Sequence, residues 1–495
     1  MFRPGFEPRS VCREATVLNL IRIRVGRLFQ DHYPSLQDAL IYQSPAQDIY
    51  FIDIIVYPSY PKVESLRKVR SSFSFMQGNV LVLTVCRVLY DTSLSIAWPF
   101  FPLYILALGG SEVEIGLIYA LGGLGGIFLF PVGGYLADHV GRVKFIAVVS
   151  YILALTHVFF IIAQDWIFLA IGMFLQELSL FYLPAMSAIT ADSLPPHKRG
   201  IGFATVMAIP LSVTLLMPLV GGYVIDYVFG GGDAGVAIAM RIFFAVATAV
   251  GFAVATIRLK FLKETLTKSD SSVPTRKILL LLKTSYKKLY DTFKWMSPTL
   301  WSIAIIAILI TMFTSLTGPF WPVFAIQVIG LTASEWGFLS FLIGAIRIVL
   351  AIPLGHLVDL HGTRRTILLS MLLVTIPISL FPLCQNFLQV LFTLVILATV
   401  NALVWPASAT LIANVVPRER RGRLLSILGQ GLSIGLTGGY GYGFLLYIPR
   451  IVGSITGGYI YTFNPQYPWF ILAVSIIPCF ALSFRYIYEP EKKET

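Results

Sequence analysis

Arg87, Asp91, Glu177 and Arg347 are ionisable side chains that lie inside long apolar stretches of the chain. A charge in hydrocarbon costs roughly 3 kcal/mol on insertion scales, so each needs a reason to be there. Desolvation favours the neutral, protonated form of a carboxyl, and a nearby arginine favours the charged form. A carboxyl poised between the two can take up a proton on one side of a membrane and release it on the other. Arg87 and Asp91 are four residues apart, on one face of a helix, as an ion pair would be. Glu177 has no basic neighbour on its own stretch, and Arg347 is the partner expected for it. At a rise of ~1.5 Å per residue, Asp91, Glu177 and Arg347 all fall roughly 15 Å from an end of their segments. Glu177 is therefore the first candidate for a proton carrier and Asp91 the second. The competing reading makes both pairs structural.

No other pattern supplies a reaction centre. The cysteines Cys12, Cys86, Cys384 and Cys479 form no CxxC pair, so neither a metal site nor a disulfide framework is expected. No phosphate-binding loop is present to drive an ATP pump. His157 reads as hydrogen-bonded packing rather than a proton relay. Trp98, Trp321 and Trp405 read as packing or interface anchors. An enzyme, a cofactor and a metal are all unexpected.

The elements that must position these charges follow from composition. Of 495 residues, 56% are hydrophobic and 13% charged, and the mean hydropathy is +0.78. A chain this apolar cannot cover a water-facing surface and needs lipid around it. Its net charge of +12 is concentrated between apolar segments. It therefore reads as orientation in a membrane rather than nucleic-acid binding.

A membrane helix needs ~20 mainly apolar residues. Twelve stretches qualify: 80–107, 115–137, 145–163, 167–191, 201–228, 236–257, 300–328, 336–358, 366–384, 388–413, 424–462 and 468–487. The eleventh is too long for one simple helix. Every second loop carries lysine or arginine and the others carry none, which places both termini on the cytoplasmic side of the cell membrane. The expected organisation is an N-terminal extension (1–75), a first bundle (76–257), a cytoplasmic linker (258–299), a second bundle (300–488) and a short tail (489–495). Residues 1–75 differ in character, and Gly-Phe-Glu-Pro at 5–8 reads like the translated T-arm of a transfer-RNA gene. The expected true start is Met76. In the linker, Leu282, Tyr286, Leu289, Phe293 and Met296 fall at helical spacing, as in an amphipathic helix on the membrane surface.

The two bundles are copies. Pro99-Phe-Phe-Pro102 recurs as Pro319-Phe-Trp-Pro322, and Glu114 with Gly116 as Glu335 with Gly337. Gly134, Leu136, Asp138 and Gly141 recur as Gly355, Leu357, Asp359 and Gly362. Pro184-Ala185 and Arg199-Gly200 recur as Pro406-Ala407 and Arg421-Gly422. All these offsets lie between 220 and 222, but Gly221-Gly222-Tyr223 recurs as Gly457-Gly458-Tyr459 at 236. The second copy has thus gained residues near 429–443, seven of them glycine, and broken helix is expected there.

Gly134-Tyr-Leu-Ala-Asp138-His-Val-Gly141-Arg142 and its copy around Gly355, Asp359, Gly362, Arg364 and Arg365 resemble the loop signature of the major facilitator superfamily. The resemblance covers residues 76–490. It implies an all-α membrane protein: twelve transmembrane helices in two six-helix bundles related by a pseudo-twofold axis. It implies alternating access, with spans 1, 4, 7 and 10 lining a cavity, so that Asp91, Glu177, Asn401 and Trp405 become cavity candidates. It implies a gating latch of the outward-open state around Asp138 and Arg142, with Asp192 as the expected partner of Arg142 and Arg199 and Arg421 nearby. In the second copy Thr363 and Asn414 replace the arginine and the acid, so its latch is expected to be weaker. The function expected is secondary transport of a small molecule by a monomer, coupled to protons, with efflux of amphipathic or cationic compounds favoured. Sugar or metabolite uptake is the rival, and a non-transporting membrane receptor is the alternative of another class.

Overall fold

The structure, a computed structural model, describes residues 75–266, 294, 296–416, 434 and 443–487, without the side chains of 126–136, 138–140, 197, 413 and 444. The N-terminal extension, the amphipathic linker pattern and Arg421 lie outside the described residues. No strand occurs among the described residues.

Among the described residues twelve long helical segments follow one another: α1 Gly78–Ala107, α2 Glu112–Val140, α3 Arg142–Ile161, α4 Trp166–Ser193, α5 Arg199–Val228, α6 Gly232–Phe261, α7 Pro298–Val328, α8 Ala333–His361, α9 Thr363–Leu383, α10 Phe387–Val415, α11 Tyr447–Phe463 and α12 Tyr467–Tyr486. Among the described residues ten are long and apolar enough to cross a membrane. The other two are α2, with 29 residues, and α11, with 17. In hydrocarbon every backbone amide must be satisfied within the segment, so helices are the natural form for these stretches. Helix α6 extends to Phe261, so Arg258 belongs to it and not to the linker. Of the expected break at 429–443, Ile434 and Gly443 are described, and neither is helical.

Helix ends carry the repeat. Ser111 and Thr332 each start a helix with a capping box, closed by Glu114 and Glu335. Gly141 and Gly362 turn α2 into α3 and α8 into α9 at φ of 94° and 85°, a region that a side chain would strain. The loops at Gly141 and Gly362, and the one carrying Lys198, define a basic end of the molecule. The loops at 108–111, 229–231, 329–332 and 464–466 define a neutral end without lysine or arginine.

Helices α1 to α6 pack among themselves, with α3 on α6, α2 on α4 and α1 on both α5 and α6; in the second half α7 packs on α11 and α12, and α10 on α8 and α9. Each half has an aromatic core of three rings, two of them at matching repeat positions, Phe101 with Trp321 and Phe160 with Phe381. Phe101, Phe160 and Phe244 have ring centroids 4.5 to 6.1 Å apart. Trp321, Phe381 and Trp469 lie 4.3 to 5.7 Å apart. Such pairs contribute ~0.5–1.5 kcal/mol each beyond area burial. Of the contacts that join the halves, α1 with α7, α1 with α8, α2 with α11 and α5 with α8, the last two are the most extensive. These two are copies of one another under the repeat.

Candidate functional site

Glu177 lies where α4 loosens: its α-helical part ends at Ser179 and a 3-10 turn follows over Leu180–Tyr182. It is 7% exposed and packed against α2. Two glycines of α2 make the room. A Cβ on Gly122 would stand 3.2 Å from Glu177 Cγ, and one on Gly125 would stand 2.9 Å from the Leu178 nitrogen. Glu177 Oε2 is buried and has no hydrogen-bond partner among the described residues. The cation whose charge reaches it is Arg450 of α11, which also acts on Tyr119 of α2. Helix α11 meets α2 on the face beside Glu177: a Cβ on Gly123 would be 2.7 Å from Ile451 Cγ1. Glu177 and Arg450 therefore approach α2 from different halves. This corrects the sequence expectation that Arg347 partners Glu177. Arg347 is half-buried on α8 and is not among the charges acting on Glu177.

Asp91 is held differently. Arg87 Nε lies 3.2 Å from its Oδ2, with the two side chains 35% and 38% exposed. Arg258, unrecognised as a membrane charge in the sequence, is 3% exposed behind them. Its Nη1 donates to Ser150 Oγ at 2.7 Å, and its guanidinium lies 5.5 Å from the centre of the Tyr182 ring. Its charge also reaches Asp91.

Asn401 is not open to a cavity. It is 7% exposed; its Nδ2 donates to the Ile434 carbonyl at 2.6 Å and its Oδ1 accepts from the Ile434 amide at 3.0 Å. The side chain satisfies the backbone of Ile434, which is not helical. Trp405 is 43% exposed. His157 is fully buried among Tyr90, Phe160 and Phe244, with neither ring nitrogen bonded to a described residue, so it is not the hydrogen-bonded histidine expected.

At the basic end, Arg142 Nη1 lies 2.5 Å from Asp192 Oδ2 and 3.2 Å from Thr265 Oγ1. Glu264 Oε2 accepts from the Val143 amide at 3.0 Å, capping α3, a role the sequence did not suggest. Asp192 belongs to the first half, and Glu264 and Thr265 to the segment that follows α6. Arg199 donates to the Ala191 carbonyl at 3.1 Å. Gly134 lies within α2 and Asp138 near its end, their surroundings undescribed. In the second copy Arg364 turns to the Phe484 carbonyl of α12 at 2.6 Å, and Asp359 and Arg365 are exposed. No described atom would lie within 4 Å of a Cβ on Gly355, so close packing of α8 at this glycine is not seen here.

The neutral end is closed. A Cβ on Gly116 of α2 would stand 3.3 Å from Gly458 Cα of α11, and one on Gly458 would stand 2.7 Å from the Glu112 carbonyl oxygen. The copy of this crossing joins α5 and α8. There a Cβ on Gly222 would collide with the Ala333 carbonyl oxygen, and one on Gly337 with the Pro218 carbonyl oxygen. Small residues that let backbones touch are how helices associate without a hydrophobic driving force.

A two-fold helical repeat in apolar helices, with the buried Glu177 beside the meeting of its halves and glycine contacts joining them at one end, is the arrangement of a membrane transporter. The chain belongs to the Major Facilitator Superfamily, whose family model matches residues 83–346 and 303–495. It is 24% identical over 391 residues to a "Multi-drug resistance efflux pump PmrA homolog" of Lactococcus lactis subsp. lactis, covering 77% of this chain and 89% of that one. It is 25% identical over 404 residues to a "Multidrug resistance protein MdtG" of Rahnella sp., covering 77% and 92%. Among solved structures it resembles a point mutant of the nucleoside transporter NupG with a TM-score of 0.62 at 14% identity, over 83% of this chain and 100% of that one. At that identity the likeness concerns the fold.

Proposed function

We propose that the protein is a proton-coupled secondary transporter that exports amphipathic or cationic small molecules by rocking its two halves. The observation that carries the coupling is Glu177: a buried carboxyl with an unpartnered oxygen, whose acting cation, Arg450, belongs to the other half. When the halves rock, the separation of the pair changes. With Arg450 near, the carboxylate is favoured; with Arg450 withdrawn, burial favours the neutral acid. A proton would then load in one state and leave in the other, as coupling requires. Asp91 is the second choice, because Arg87 holds it on its own helix at 3.2 Å and travels with it.

In this reading the basic end is cytoplasmic and the two six-helix bundles rock about the glycine crossings. A closed neutral end belongs, in this reading, to the inward-open arrangement. The loop residues Asp138, Arg142 and Asp192 act when the basic end closes. The export direction and the substrate class draw support from the multidrug relatives. Sugar or metabolite uptake is the rival.

The test is transport in everted vesicles with an imposed pH gradient. Accumulation of a lipophilic cation that collapses with the gradient is expected. Gradient-driven movement of nucleosides or sugars, with lipophilic cations ignored, would favour the rival.

A further inference from the structure

Helix α8 does not complete its own N-terminus. The first amides of a helix lack intrahelical partners and must be satisfied from outside. Thr332 Oγ1 accepts from the Glu335 amide at 3.1 Å, and Glu335 Oε2 accepts from the Thr332 amide at 2.8 Å. The Ser334 amide is left over. It donates to Asp226 Oδ2 at 2.6 Å. Asp226 lies on a π-helical turn, Val224–Val228, at the end of α5 and so belongs to the other half. The bond sits beside the glycine crossing of the same two helices, where a Cβ on Gly222 would stand 2.9 Å from Ser334 Cα.

The repeat shows that this is an added feature. In the first half, Ser111 Oγ accepts from the Val113 amide at 3.3 Å, so α2 caps the equivalent amide within its own segment. The residue at the position of Asp226 in the second copy is Thr462, whose hydroxyl donates to the Gly458 carbonyl of its own helix at 3.0 Å. The two crossings share their glycines. Among the described residues only the α5–α8 crossing is fastened by a carboxylate from across the halves, Asp226, which meets the positive end of a helix dipole.

We propose that Asp226 is a positioning residue for transport: it fastens the neutral end shut through the α8 N-terminus and so sets how much of the protein stands with that end closed. Opening the neutral end leaves the Ser334 amide without its acceptor and separates the carboxylate from the helix dipole. The inference rests on the alternating-access reading of the previous subsection.

The experiment uses the full chain in nanodiscs with its four cysteines replaced, carrying spin labels at one of two inter-half pairs. Ala234→Cys with Gln327→Cys reports the neutral end, and Lys144→Cys with Leu360→Cys the basic end. Wild type is expected to show two distances at each end, with opposite populations. Asp226→Ala should raise the open-to-closed ratio at the neutral end by about tenfold, the scale of a lost charged hydrogen bond. Asp226→Asn, which keeps an acceptor but not the charge, should raise it less, and Thr462→Ala should leave it unchanged. Thermal unfolding of Asp226→Asn should match wild type, which separates this role from a purely structural one. An unchanged ratio in Asp226→Ala, with two states still present in wild type, overturns the inference and leaves alternating access standing. A single distance at each end of the wild-type protein overturns alternating access, and the inference with it.

Discussion

Gly116 on α2 and Gly458 on α11 face each other across the two halves, so close that a Cβ on the first would stand 3.3 Å from the Cα of the second. Their repeat equivalents, Gly337 and Gly222, form the matching crossing of α8 with α5. Each crossing brings together one residue of each repeated pair, so a single duplicated pattern of small residues closes one end of the molecule on both sides.

These crossings give a direct prediction. Gly458→Val would press a side chain on the Glu112 oxygen and Val113, which are backbone and cannot swing aside. The neutral end should then fail to close, and transport should fall at least ~10-fold, since overpacking a tight contact costs ~1–3 kcal/mol. Cysteine cross-linking between α2 and α11 at that end should fall in parallel. Gly355→Ala is the contrast. No described atom lies near its Cβ position, and alanine is the better helix former by roughly 1 kcal/mol, so thermal stability of this arrangement should be unchanged or raised.

Asn401→Leu should destabilise the protein by roughly 2–5 kcal/mol, because the Ile434 amide and carbonyl both lose their partner inside the protein. Limited proteolysis should show faster cleavage near residue 434. Unchanged proteolysis and thermal stability would mean that the backbone there finds other partners.

Breaking the Arg142–Asp192 pair should cost little stability. Asp192 is 43% exposed, and exposed pairs contribute about 0–1 kcal/mol. If the basic-end loop works in gating, transport by Asp192→Asn should fall by much more than that stability loss accounts for. Equal small losses in both would reduce the pair to local packing.

Much of this architecture is legible in the sequence because the bilayer and the repeat both leave marks along the chain. The bilayer demands long apolar stretches, and the glutamates at 114 and 335 and the glycines at 116 and 337 recur at one offset. What was not legible concerns which faces meet. Arg450 lies beyond the glycine-rich insertion, where the repeat register jumps, so no equivalent position pointed to it. Arg258 sits among the lysines and arginines that follow the sixth apolar stretch, and the hydrophobicity pattern alone assigns it to the linker. Only packing shows it buried against Ser150 and Tyr182. Asn401 carries the polarity expected of a cavity residue, yet its amide is spent on the Ile434 backbone. A residue's type and depth are visible in sequence; its partner on a distant segment is not.

The central claim is that Glu177 carries the proton that couples transport. The most direct measurement compares two assays on Glu177→Gln in vesicles: exchange of a lipophilic cation at equal pH, and its accumulation against an imposed pH gradient. Exchange needs only the rocking of the halves, while accumulation needs a group that titrates. Glutamine is near in shape to a protonated glutamate. The variant should therefore keep exchange within a few-fold of wild type and lose gradient-driven accumulation. Retained accumulation in Glu177→Gln would contradict the account. Its retention also in Asp91→Asn would leave both carboxyls as structural parts of the membrane core.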